Sequence, residues 1–136
     1  MLRRASIFFL GMLLLWGAAS CTRPDTTEQF AFDDGSGQFA FEVDLGDSLC
    51  TYDFSFYTRM ESRLSPPGFP MRVYLTSTSG TVYSETLFYD ASASLVVPYR
   101  ADLKPVEYGL WHLSVRARAE GLKGMGLICR KKDGTR

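Results

Sequence analysis

Apolar and polar side chains alternate with a period of two through most of the chain, and this pattern constrains the fold more than any other feature. Successive residues of a strand point to opposite faces, so strict alternation marks a strand with one buried side. Phe39, Phe41, Val43 and Leu45 stand against Gln38, Glu42 and Asp44. Cys50, Tyr52, Phe54, Phe56 and Met60 stand against Thr51, Asp53, Ser55 and Tyr57, and Met71, Val73 and Leu75 against Arg72, Tyr74 and Thr76. Trp111, Leu113, Val115 and Ala117 alternate with His112, Ser114, Arg116 and Arg118. Phe30 and Phe32 open the series, and Met125, Leu127 and Cys129 close it. Turn-forming clusters separate the runs: Asp33–Gly37, Leu45–Ser48, Ser77–Gly80 and Gly121–Gly124.

This punctuation predicts about eight strands and no helix after residue 20. Short strands at short intervals fold as two antiparallel sheets packed face to face, an Ig-like or jelly-roll-like β-sandwich. Phe30, Phe32, Phe39, Phe41, Phe54, Phe56 and Trp111 supply its core volume. Leu64–Pro70 holds three prolines and a glycine and reads as a loop. Thr81–Tyr89 is a strand of ambiguous facing, since Tyr83, Leu87 and Tyr89 oppose Val82 and Phe88. Leu95–Val97, ended by Pro98, suits an edge strand. Tyr99–Glu107 reads as a long connection, and Lys131–Arg136 as a polar tail.

The first twenty residues obey a different rule. Arg3 and Arg4 precede an apolar run from Ile7 to Trp16, and small residues follow up to Cys21. That order is a secretory signal, too short to span a bilayer comfortably. Ala18-Ala19-Ser20-Cys21 resembles the lipobox of bacterial lipoproteins, with Ala18 where leucine is usual. The likeness implies cleavage before Cys21 and diacylation of its sulfur; the alternative is an ordinary signal cut nearby, with Cys21 a thiol. Residues 1–20 then form the signal, 21–28 the lipidated cysteine and a flexible tether, and 29–136 the sandwich. Such a protein is held by lipid in the bacterial cell envelope, facing the periplasm or the exterior.

Cleavage leaves thirteen basic residues against fifteen acidic ones, a net charge of about −2. That balance excludes a nucleic-acid partner and leaves no polybasic membrane patch. The charges are segregated: Asp25 to Asp53 holds eight acids and no base, whereas Arg100 to Arg136 holds nine bases and four acids. Either the first and last strands lie side by side and neutralise each other, or the surface is two-faced and orients a partner. Cys50 and Cys129 both occupy apolar registers, and in an oxidising compartment they are candidates for a bridge. It would close a loop of about 80 residues, worth roughly 4–4.5 kcal/mol on the chain-entropy scale; the alternative is two buried thiols.

Reactive constellations are missing from the sequence. His112 is the single histidine. It shares a polar register with Ser114, at a spacing of about 7 Å that is too long for a nucleophile–base hydrogen bond, and no acid in the sequence is placed to orient its ring. Zinc spacing is lacking, and Asp33-Asp34-Gly35-Ser36-Gly37 reads as an acidic turn, not a calcium loop. No enzyme activity, metal or cofactor is expected. Tyr57, Arg72 and Tyr74 lie on polar registers and form a candidate glycan site, since sugars offer apolar C–H faces to aromatic rings; the alternative is ordinary half-exposed strand tyrosines. Arg116 and Arg118 with His112 read as a solvated strip or as a surface for an anionic partner.

Several segments taken together resemble a known family. After the signal come Tyr57-Thr58-Arg59, a proline-rich loop and the hairpin Met71–Tyr89. Tyr108-Gly109-Leu110-Trp111-His112-Leu113 follows, leading to Gly121-Leu122-Lys123-Gly124-Met125-Gly126-Leu127-Ile128. This order resembles the gliding-motility-associated lipoprotein H family. The stretch from Tyr89 to Tyr108 is shorter than that family's, and the closing Gly124-Met125-Gly126-Leu127 departs from its pattern. The resemblance implies an envelope lipoprotein acting through protein contacts with gliding and secretion machinery, and it carries over no catalytic residue.

Overall fold

A computed structural model of the chain describes residues 25–61, 68–92 and 94–134. Cys21, with the signal and lipidation expected around it, lies outside the described residues.

Among the described residues eight strands form: β1 (Asp25–Phe32), β2 (Gln38–Leu45), β3 (Cys50–Met60), β4 (Gly68–Thr76), β5 (Val82–Asp90), β6 (Val97–Leu103), β7 (Gly109–Ala117) and β8 (Leu122–Asp133). They build two four-stranded sheets with orders β1-β8-β3-β6 and β2-β7-β4-β5, antiparallel throughout. All connections but the β4–β5 hairpin cross between the sheets, which makes the sandwich a jelly roll and not an Ig-like fold. The alternation explains the core. Phe39, Phe41, Val43, Met71, Val73, Leu113 and Val115 of one sheet face Phe54, Phe56, Met125 and Leu127 of the other in one buried cluster. The facing of β5 resolves: Tyr89 is buried and Leu87 half-buried, while Val82 and Phe88 point outward.

Both seams between the sheets are stitched by side chains. At one, the Gln29 amide on β1 donates to the Glu42 carbonyl of β2 and accepts from the Glu42 N–H, the second bond at 3.2 Å. The side chain thereby imitates a neighbouring strand. At the other seam, Glu85 on β5 accepts from the Tyr99 hydroxyl and takes two bonds from Arg100 on β6, at 2.6 and 2.7 Å. Burial, reinforced by that carboxylate, pushes the Tyr99 hydroxyl well above its ordinary pKa.

Several sequence expectations change. The expected loop ends early, because Gly68–Pro70 belongs to β4. Pairing with β7 starts only at Met71, so one side of β4 is open at Pro70 and its missing N–H breaks no ladder there. The expected connection after Pro98 is largely strand, since Tyr99–Leu103 continues β6. Pro98 is tolerated because β6 is an edge strand of its sheet. Asp25–Glu28, expected as tether, are strand residues of β1 paired with Ile128–Lys131. Lys131–Asp133, expected as tail, extend β8 against Cys50–Tyr52.

The Cys50–Cys129 bridge does not form. Cys50 lies opposite Asp133, and Cys129 lies opposite Phe54 on the same strand pair. That offset of four positions is about 13 Å along the ladder, well past the roughly 7 Å a disulfide can join. Cys129 is a free, buried thiol, and Cys50 is buried at the start of β3.

The segregated charges meet. β8 lies between β1 and β3, and Lys132 contacts Asp53 at 3.0 Å and Asp102 at 2.6 Å, with Lys131 3.9 Å from Asp47. Burial works against the Asp53 carboxylate, but the Asp102 N–H and the Lys132 ammonium hold its pKa below the usual range. Asp102 adopts φ of 53°, a conformation that aspartate tolerates better than most residues.

Candidate functional site

Phe30 and Phe32 face outward, not into the core. Gln29 and Ala31 take the inner register of β1, leaving Phe30 at 36% and Phe32 at 70% exposure. Alternation alone assigns the two phenylalanines to the core; β1 instead turns inward Ala31 and Gln29, whose amide stitches the seam.

Across the sheet, Phe30 is in register with Gly126, and Gly126 with Tyr57. The two rings converge from β1 and β3 over β8, with centroids 6.0 Å apart and planes inclined by 27°. They fit because β8 has no side chains beneath them: a Cβ on Gly124 would strike the Phe30 ring, and one on Gly126 the Tyr57 ring. The Gly124-Met125-Gly126 run is therefore a bed for two rings, with Met125 pointing into the core. Phe32 packs edge-on against Phe30 at 4.9 Å. Tyr57 donates a hydrogen bond to the Glu28 carboxylate, and that bond pushes its hydroxyl pKa up to about 12. The result is a Phe30–Tyr57 ring pair over β8, with Phe32 edge-on to it and the Glu28 carboxylate as an anionic corner.

Glu28→Gln should bring the Tyr57 hydroxyl back toward the ordinary tyrosine value near 10. Gly126→Ala should do the same by expelling the ring from its bed and breaking the Glu28 bond. Carbon NMR of labelled tyrosine through an alkaline titration checks both; a Tyr57 midpoint unmoved in either variant refutes this geometry.

The expected trio of Tyr57, Arg72 and Tyr74 is not one site. Tyr57 is on the outer face of the β1-β8-β3-β6 sheet, whereas Arg72 and Tyr74 are on the outer face of the other sheet, across the whole sandwich. There Tyr74 is flanked by two guanidinium groups, Arg72 at 5.5 Å and Arg116 at 5.6 Å from the ring centre. Adjacent on β7, exposed His112 has its Nδ1 3.6 Å from Glu42. The acid absent from its sequence neighbourhood arrives across the β2–β7 ladder. Ser114 is opposite Ala40 and Tyr74, one strand register away from that pair.

The Asp33–Gly37 turn uses its carboxylates internally. Asp33 accepts from the Gly35 N–H and Asp34 from the Ser36 N–H, and the Ser36 bonds hold the Asp34 pKa below its ordinary value. Among the described residues no group of three or more His, Cys, Asp or Glu side chains is arranged to hold a metal. An open groove of about 620 Å³, lined by Thr51, Asp102, Lys104, Arg130, Lys132 and Asp133, runs along the start of β3 and the end of β8. Its lining carries charges of both signs.

No protein-family model matches the chain, and no curated protein matches it. Among solved structures, the chain is similar to one described as "Structure of infectious bursal disease virus Gx strain", at 14% identity and a TM-score of 0.38. The alignment covers 82% of this chain and 33% of that one, so this chain spans about a third of the length of its match.

Proposed function

We propose that this chain is a lipid-anchored, non-enzymatic lipoprotein of the bacterial cell envelope that binds an envelope protein through its aromatic sheet face. The observation that carries the reading is the outward aromatic cluster in which Phe30 and Tyr57 lie over Gly124 and Gly126, with exposed Phe32 edge-on beside them. Exposed aromatic clusters of this kind mark contact sites. The lipid anchor rests on the lipobox-like run ending at Cys21. The sequence resemblance to the gliding-motility-associated lipoprotein H family points to gliding and secretion machinery as the source of the partner.

A photo-crosslinking amino acid at position 32 should trap a discrete envelope protein in intact cells. The same group at exposed Phe88, on the opposite sheet, should not. Equal adducts from both positions, or none from position 32, would overturn the reading. Mass spectrometry of the mature chain should show Cys21 at the start with a fatty-acid adduct. A peptide pair linked through Cys21 and Cys50 would exclude that adduct, because one sulfur cannot carry both.

A second reading follows from the Phe30 and Tyr57 rings, since sugar C–H faces stack on aromatic rings. It replaces the earlier trio with Phe30, Tyr57 and the Glu28 carboxylate as glycan contacts. A glycan array signal lost in Tyr57→Ala would support it, and a silent array would end it.

A further inference from the structure

We infer that the end of the sandwich nearest the tether is a seat for the lipid bilayer surface, a reading that rests on the proposed acylation of Cys21. The strand directions define two ends. The start of β1, the end of β2, the start of β3, the β4–β5 turn, the β6–β7 loop and the end of β8 all lie at one of them. β1 begins at Asp25, so only Thr22, Arg23 and Pro24 separate it from Cys21. Even fully extended, the chain from residue 21 to residue 25 spans no more than about 14 Å. A lipid on Cys21 therefore keeps this end, and not the aromatic face near Phe32, against the headgroups.

The same end is dressed for that position. Val82, Tyr83, Val106, Tyr108 and Leu110 are exposed around the β4–β5 turn and the β6–β7 loop, and Leu49 is exposed on the β2–β3 loop. These segments are bound to each other: Thr78 donates to the Leu110 carbonyl at 2.9 Å, and Ser79 donates to Glu107 at 2.8 Å. Tyr83 stacks on Trp111 at 6.0 Å, and the Trp111 indole donates to the Glu107 carbonyl. The apolar side chains thus ride on a fixed platform. Tyrosines beside aliphatic residues suit the boundary between headgroups and acyl chains. Lys131 pairs with Asp47, and Lys132 with Asp53 and Asp102, at this end, so much of its charge is offset and the seat suits neutral, zwitterionic lipid.

The test uses the full lipidated chain, reconstituted in vesicles of phosphatidylcholine and phosphatidylethanolamine. A fluorescent amino acid replaces Tyr108 in one sample and Phe32 in another, and headgroup-linked nitroxide lipid is the quencher. Quenching at 108 should exceed that at 32 several-fold. Val82→Ser with Val106→Ser and Leu110→Ser should cut the signal at 108 at least by half. Equal quenching at both positions in protein whose Cys21 adduct is verified would overturn the seat while leaving the anchor standing. Absence of the adduct would overturn the anchor, and the seat with it.

Discussion

Replacing Phe54 by alanine should lower the stability of the domain by about 3–5 kcal/mol and its melting temperature by on the order of 10–25 °C. Phe54 is 1% exposed at the centre of β3, between β8 and β6. Truncation there removes a whole ring from a packed cluster and leaves a cavity that rigid strands on both sides cannot collapse to fill. Domains of this size are held by roughly 5–15 kcal/mol in total, so the variant should lose a large share of its stability margin and unfold at clearly lower denaturant concentration. Phe32→Ala is the informative comparison. It removes the same ring from an equally clear alternating strand, yet Phe32 is 70% exposed, and its cost should stay below about 1 kcal/mol. Chemical denaturation of both variants checks the contrast; equal losses would mean that β1 presents its other face to the core.

Cys129 should resist thiol reagents in the native protein at pH 8 and react readily once the chain is unfolded. The sulfur is 7% exposed, and burial, with smaller contributions from Asp53 and Asp25, pushes its pKa up to about 11. An ordinary thiol ionises near 8.5. The native state therefore holds roughly a hundredfold less thiolate at pH 8, before any steric occlusion is counted. The sign of the accompanying pH effect is fixed. The folded chain keeps this proton more tightly than the unfolded chain, so the stabilisation is complete below about pH 9 and is lost as pH rises toward 11. Peptide mapping after timed alkylation, with and without denaturant, measures the protection. Comparable rates in the two conditions would show that the thiol is not sealed within the sandwich.

Much of the fold is legible in the chain because alternation carries its own geometry. The strands with one clean apolar register, β2, β3, β4 and β7, fall where their side chains require. Failures occur where a residue's role depends on a distant neighbour. Pro98 reads as a strand end until β6 is known to be an edge. Lys131–Asp133 reads as a solvated tail until Asp25, Asp47 and Asp53 are placed beside it. Cys50 and Cys129 share a face and adjacent strands, but only the register reveals the offset between them. The aromatic site was half legible. The polar register marks Tyr57, but it equally marks Arg72 and Tyr74, which the topology puts on the other sheet. The Gly124-Met125-Gly126 segment was visible as a motif; its purpose emerges only when rings from two other strands are laid across it.

The amide of Gln29 has a consequence beyond closing a seam. Molecules tethered by acyl chains share a plane, where their effective concentration far exceeds that of the same protein in bulk. A naked β2 margin would there invite neighbouring molecules to add strands and polymerise laterally. By occupying the Glu42 amide and carbonyl, one glutamine denies such growth a starting template, which under the proposed lipid anchoring would keep neighbouring molecules separate.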